Sequence, residues 1–136
     1  MGMSSAAHLA PTLEEIETLA RAAIGRLPDI FRSHLDGVVL RVEEFPDSEV
    51  IAEMGLESPF DILGLYSGRP VGDKSIDLSG SLPDMIHLYR RPILDEWAES
   101  GESLEALVTH VLVHEVGHHF GLSDEAMHAI EAQALD

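Results

Sequence analysis

The 136-residue chain contains no cysteine. That excludes Cys-ligated zinc fingers, thiol catalysis and iron–sulfur clusters. The fold must therefore rest on apolar burial without disulfides, and a chain of this length buries roughly two thirds of the surface its unfolded form exposes, enough for one domain. Basic residues are also scarce: eight Lys and Arg stand against 25 Asp and Glu, a formal net charge of −17. Such a chain repels phosphate backbones and anionic headgroups, so neither nucleic acid nor a membrane surface is an expected partner. No run approaches 18 uncharged apolar residues, so no segment is expected to span a bilayer. The start, Met1 to His8, lacks the basic region and apolar stretch of an export signal, which makes the cytoplasm the expected location. What is present is globular in proportion, with 45 % hydrophobic and 24 % charged residues.

Residues 1–11 read as a flexible N-terminal tail and residues 12–136 as a single domain, with no internal repeat or linker. Thr12-Leu13-Glu14-Glu15 has the form of a capping box, and Leu13, Ile16, Leu19, Ala20, Ala23 and Ile24 continue at helical spacing until Pro28 ends the helix. Gly37–Glu43 reads as a strand, and Asp47 or Ser48 caps a short helix that Gly55 stops. Residues 61–67 form a second strand candidate. A loop carrying Gly68, Pro70, Gly72, Gly80 and Pro83 follows, and residues 84–90 form a third strand. Pro92 suits the first turn of a short helix that Gly101 breaks. Ser103 caps a long helix from Leu104 to Phe120, Gly121 closes it, and Ser123 caps a last helix to about Leu135.

The chemistry is concentrated in His114-Glu115-Val116-Gly117-His118-His119-Phe120-Gly121-Leu122-Ser123-Asp124. Residues four apart share a helix face with Cβ atoms about 5–6 Å apart, so His114 and His118 can converge on one zinc ion at about 2.0–2.1 Å. Glu115 stands about 100° around the helix, too offset to join them as a ligand but able to reach a water on the metal as a general base. Zinc brings the pKa of that water towards about 7, and Glu115 takes its proton as hydroxide attacks a carbonyl. Gly121 lets the chain turn back at no steric cost, and Asp124 arrives as the third ligand, leaving a fourth position open. H-E-x-x-H arises by chance in roughly 5 % of chains of this composition, but the added Gly and ligand-capable residue lower that to about one in a thousand. The helix is apolar around most of its circumference (Leu104, Leu107, Val108, Val111, Leu112, Val113, Val116), which marks it as buried, and buried polar side chains need partners.

Several neighbours have alternative readings. Glu125 or His128 could replace Asp124, and Glu131 is the candidate ligand from deeper in the last helix. His110 reads as a hydrogen-bonded histidine that could support the site, His119 as packing, and Met127 as core. Tyr66 and Tyr89 could donate to a developing oxyanion but read first as packing. Arg90 and Arg91 read as ion-pair residues that could also hold a substrate carboxylate. His8, His34 and His87 carry no spacing signal.

The run resembles that of zincin metallopeptidases in the variant H-E-x-x-H-x-x-G-x-x-D. More narrowly, it resembles a family of small bacterial zincin-like proteins described as metallopeptidases, whose pattern includes Ile86-His87-Leu88-Tyr89-Arg90-Arg91-Pro92-Ile93 and Gly64-Leu65-Tyr66. The resemblance implies a compact α+β domain, with a small mixed sheet packed against helices and the metal motif on a central helix. It implies one zinc ion on His114, His118 and Asp124, with Glu115 as base. In such folds an extended substrate pairs with an edge strand beside the helix, and residues 84–90 are the candidate. The expected function is zinc-dependent hydrolysis of peptides or flexible protein segments. The rival from another class is a zinc-binding, partner-binding module with little catalysis. The bland alternative is a metal-free helical protein whose histidines bond to backbone carbonyls.

Overall fold

The computed structural model describes residues 9–68 and 84–135. Most of the expected tail, and the loop around Pro70, Gly72, Gly80 and Pro83, lie outside the described residues. Helix α1 (Leu13–Gly25) starts at the expected capping box: Glu15 N–H donates to Thr12 Oγ1 at 3.1 Å, and Thr12 N–H donates to Glu15 Oε1 at 2.9 Å. It buries Ile16, Ala20 and Ala23, the face predicted from their spacing. A short helix α2 (Asp29–Arg32) and one 3-10 turn (Ser33–Leu35) then follow, in a stretch with no periodicity that predicts them. Strand β1 (Val39–Glu43) leads into α3 (Ser48–Met54), which Asp47 caps through Val50 N–H at 2.9 Å and Gly55 closes at φ 64°.

Strand β2 (Gly64–Ser67) is shorter than the expected 61–67. The Asp61 carboxylate accepts the backbone N–H groups of Glu57 and Ser58 at 2.9 and 3.1 Å, which folds the approach into a side-chain-closed turn and delays the extended segment. Strand β3 (Met85–Tyr89) runs directly into α4 (Arg90–Ser100), followed by α5 (Leu104–Phe120) and α6 (Asp124–Leu135).

The sheet order is β1-β3-β2, with β1 parallel to β3 (Val39 opposite Met85) and β2 antiparallel to it (Gly64 opposite Leu88). This corrects the expectation that residues 84–90 form an edge strand. β3 is the middle strand, and its ladder positions are taken on both sides. Among the described residues it is β2 that is an edge strand lying against α5. β3 buries Ile86 and Leu88 under the helices.

Helix α5 is the centre of the domain. It packs on β2, β3, α1, α4 and α6, and Leu107, Val108, Val111, Leu112, Val113 and Val116 are buried on its flanks. Each such side chain contributes about 1.5–3 kcal/mol when fully buried, so the helix that carries the histidines is also the one held most firmly. Ser103 Oγ caps it through Ala106 N–H at 3.0 Å. At its other end Gly121 adopts φ 66°, and the N–H of Leu122 reaches back to the Gly117 carbonyl at 2.9 Å, a glycine-based stop that reverses the chain into α6. The reversal seats Met127 directly under Gly117, where any Cβ would overlap its sulfur. Met127 is therefore core, as its place within the last helix suggests. The result is a compact α+β domain with six helices and a three-stranded mixed sheet among the described residues. No helix among them is long and apolar enough to cross a membrane.

Candidate metal centre

His110, His114 and His118 succeed one another every fourth residue on α5 and, with Val111 and Glu115, form one wall of a groove of about 360 Å3. Gly64 and Leu65 of β2, with Ile62 and Leu63 before it and Met54 from α3, form the apolar opposite wall. Gly64 sets the width of this groove. A Cβ there would come within 2.9 Å of Val111 Cγ1 and 3.0 Å of the His87 carbonyl, so only glycine lets β2 approach α5 this closely. In the sequence Gly64 stands out only as part of the segment Gly64-Leu65-Tyr66 that resembles the family pattern. The groove's other lining residues come from elements far from the motif, and no spacing rule connects them to it.

Glu115 is 7 % exposed. Burial pushes its carboxyl above the ordinary carboxylate range, and the adjacent His118 imidazole partly offsets that. Its Oε1 lies 3.3 Å from His118 Nδ1, and the Tyr66 backbone N–H donates to the carboxylate. Among the described residues Oε1 is buried with no well-formed hydrogen bond. A buried carboxylate with an unsatisfied oxygen is costly in the folded state, and a positive group on the groove side would offset the cost. His114 is held below the ordinary imidazole range first by desolvation and next by His110, with Glu131 and Asp124 acting in the opposite sense. A neutral imidazole is the form that binds a metal. Two imidazoles beside an under-satisfied carboxylate on a groove therefore fit a divalent cation.

The structure places the predicted site residues as follows. His114, Glu115 and His118 line the groove together. Asp124 is the first residue of α6, exposed, and near enough for its charge to act on His114, but it is not among the residues that line the groove. Among the described residues, the three donors whose ligand atoms already lie within 4.8 Å of one another are His110, His114 and Glu131. Glu125 and His128 are exposed on α6 and do not line the groove. His110 has the carboxylate partner a half-buried histidine calls for: Glu131 Oε1 at 2.8 Å from its Nδ1. His119 is buried as packing, edge-on to Tyr66, with its Nδ1 3.3 Å from the Tyr66 hydroxyl. That contact draws the Tyr66 hydroxyl towards His119, and Tyr89 is buried; neither tyrosine lines the groove. Arg90 pairs with Glu44 at 2.9 Å and donates to the Pro11 carbonyl at 2.6 Å, while Arg91 stands over the Phe45 ring at 5.5 Å.

The burial of Glu115 has a measurable cost. Its folded-state pKa is raised above the unfolded value, so the native state binds the proton more tightly. Stability is then highest below the unfolded pKa and falls as pH rises through the window between the two values. Glu115→Gln removes the charge and keeps the acceptor for Tyr66. In EDTA at pH 8 the variant is expected to melt at a higher temperature than wild type, with the gap narrowing as pH approaches the ordinary carboxylate pKa. A lower melting temperature at pH 8 would contradict this.

From the 3-10 turn before β1 nearly to the end of α6, residues 35–134 match the family model described as zincin-like metallopeptidase. Comparison with individually curated proteins finds no match. A match that takes in all three strands, all of α5 and all but the last residue of α6 extends far beyond the histidine motif, and the chain belongs to the zincin-like metallopeptidase family.

Proposed function

We propose that this protein is a zinc-dependent metallopeptidase that hydrolyses peptide bonds in short or flexible segments. In this reading His114, His118 and Asp124 hold one zinc ion and Glu115 is the general base. The observation that carries it is the buried, under-satisfied Glu115 carboxylate beside His118, in the groove wall that also carries His114. When bound, zinc would polarise both a water and the substrate carbonyl. Glu115 would accept a proton from the attacking water and deliver it to the leaving amine, a task its burial-raised pKa suits. The fixed Tyr66 N–H contact orients the carboxylate for this transfer. An extended substrate would lie along β2, which shares the groove and is an edge strand among the described residues, and the apolar wall of Met54, Ile62 and Leu65 would receive an apolar side chain.

The rival reading, a zinc-binding module with little catalysis, draws support from the groove's modest volume of about 360 Å3. Mass spectrometry of an unstructured peptide library separates the two. The peptidase reading predicts cleavage that EDTA abolishes and one equivalent of zinc restores. Stoichiometric zinc with every peptide left intact would transfer the assignment to the binding module.

A further inference from the structure

We propose that His110, His114 and Glu131 form a second divalent-cation station, one helical turn upstream of the catalytic pair, and that it competes with that pair for His114. The proposal rests on the peptidase reading only in taking His114 as shared. Its own basis is the geometry of the three donors. Their ligand atoms already lie within 4.8 Å of one another. Donors at about 2.0–2.1 Å around a tetrahedral zinc ion lie about 3.4 Å apart, so small side-chain rotations complete the site. The His110 and His114 rings are 4.3 Å apart, centroid to centroid, and tilted by 49°, neighbours on one helix face rather than a parallel stack. Glu131 comes from the facing helix α6, and its carboxylate is 2.8 Å from His110 Nδ1. Its side chain is 19 % exposed, so the carboxylate is partly withdrawn from water and held in place. Both histidines line the groove, which gives an ion a route in. Two imidazole nitrogens and one carboxylate oxygen are donors that zinc accepts.

The sharing follows from spacing. His110 and His118 are eight residues apart, about 12 Å along the helix, so one ion cannot touch both. His114 lies between them and serves either neighbour. An ion held upstream therefore withdraws His114 from the catalytic set, and occupancy is one ion per chain in one station or the other.

The test is titration of Zn2+ alone into wild type and variants by calorimetry, with Co2+ absorption as a second readout of donor geometry. The His118 side chain is 60 % exposed, so His118→Ala leaves the core intact. This variant is expected to lose peptide cleavage and still bind about one Zn2+. His118→Ala/Glu131→Gln and His118→Ala/His110→Ala are expected to bind at least tenfold more weakly than His118→Ala. If His118→Ala binds no zinc, or the double variants bind as it does, the second station is overturned. The two readings fail separately. Wild type that binds and cleaves, beside a His118→Ala that binds nothing, removes the station and leaves the peptidase. A His118→Ala that binds through Glu131, beside a wild type that cleaves nothing, leaves the station and removes the peptidase.

Discussion

Glu115→Gln is expected to slow peptide hydrolysis by about 10²–10⁴-fold, the range a positioned general base contributes, while zinc content stays at one ion per chain. Glu115 is not offered as a ligand, and the amide keeps the shape of the carboxylate and its acceptor for the Tyr66 N–H. What disappears is the ability to take a proton. The loss should fall on kcat, because the groove walls that bind substrate are untouched. Steady-state kinetics with parallel elemental analysis reads both quantities. A variant that cleaves at the wild-type rate removes Glu115 from the chemistry. A variant that loses zinc as well makes Glu115 part of the metal set.

His114→Ala is expected to have the widest effect of any single change, because His114 is the residue common to both proposed stations. Removing the hydrogen-bonding partner of a metal ligand costs 10–100-fold in affinity, so removing this ligand should weaken zinc binding by at least about 100-fold. A second consequence is thermal. An ion that binds only the native state stabilises it by mass action, by about 2.7 kcal/mol at a free concentration one hundred times Kd. Wild type should therefore melt higher with zinc than with EDTA, and His114→Ala should show no such difference. His118→Ala should retain part of it. Differential scanning fluorimetry in zinc and in EDTA checks this. Equal zinc-dependent stabilisation in wild type and His114→Ala would sink the role given to this residue.

The contrast between what the sequence reveals and what it hides has a physical cause. Helix ends were legible because their determinants are local. Thr12 with Glu15, Ser103 with Ala106 N–H, and Gly121 with the Gly117 carbonyl all lie within a few residues of each other. The histidine pair was legible for the same reason, since i and i+4 on one helix are neighbours whatever the fold. Strand order was not. Residues 85–89 alternate in a way that fits a middle or an edge strand, and which it becomes depends on where β1 and β2 dock. The tightness of the β2–α5 contact, set by Gly64 against Val111, is likewise a long-range property, as is the apolar wall from Met54 to Leu65. Glu131 marks the boundary between the two cases. Its depth on the last helix could be counted from the sequence, but its partner His110 is fixed only by the way Gly121 folds α6 back along α5. The short helix at Asp29–Arg32 escaped because four residues carry no periodicity to read.

The central claim is that α5 presents His114 and His118 to one zinc ion with Glu115 beside it. An anomalous difference map collected at the zinc edge from crystals of the zinc-loaded wild-type protein tests it most directly. The account predicts a single strong peak about 2.0–2.1 Å from a nitrogen of His114 and a nitrogen of His118, facing the groove. A map with no peak on α5, or with its peak bonded to neither imidazole, would contradict it.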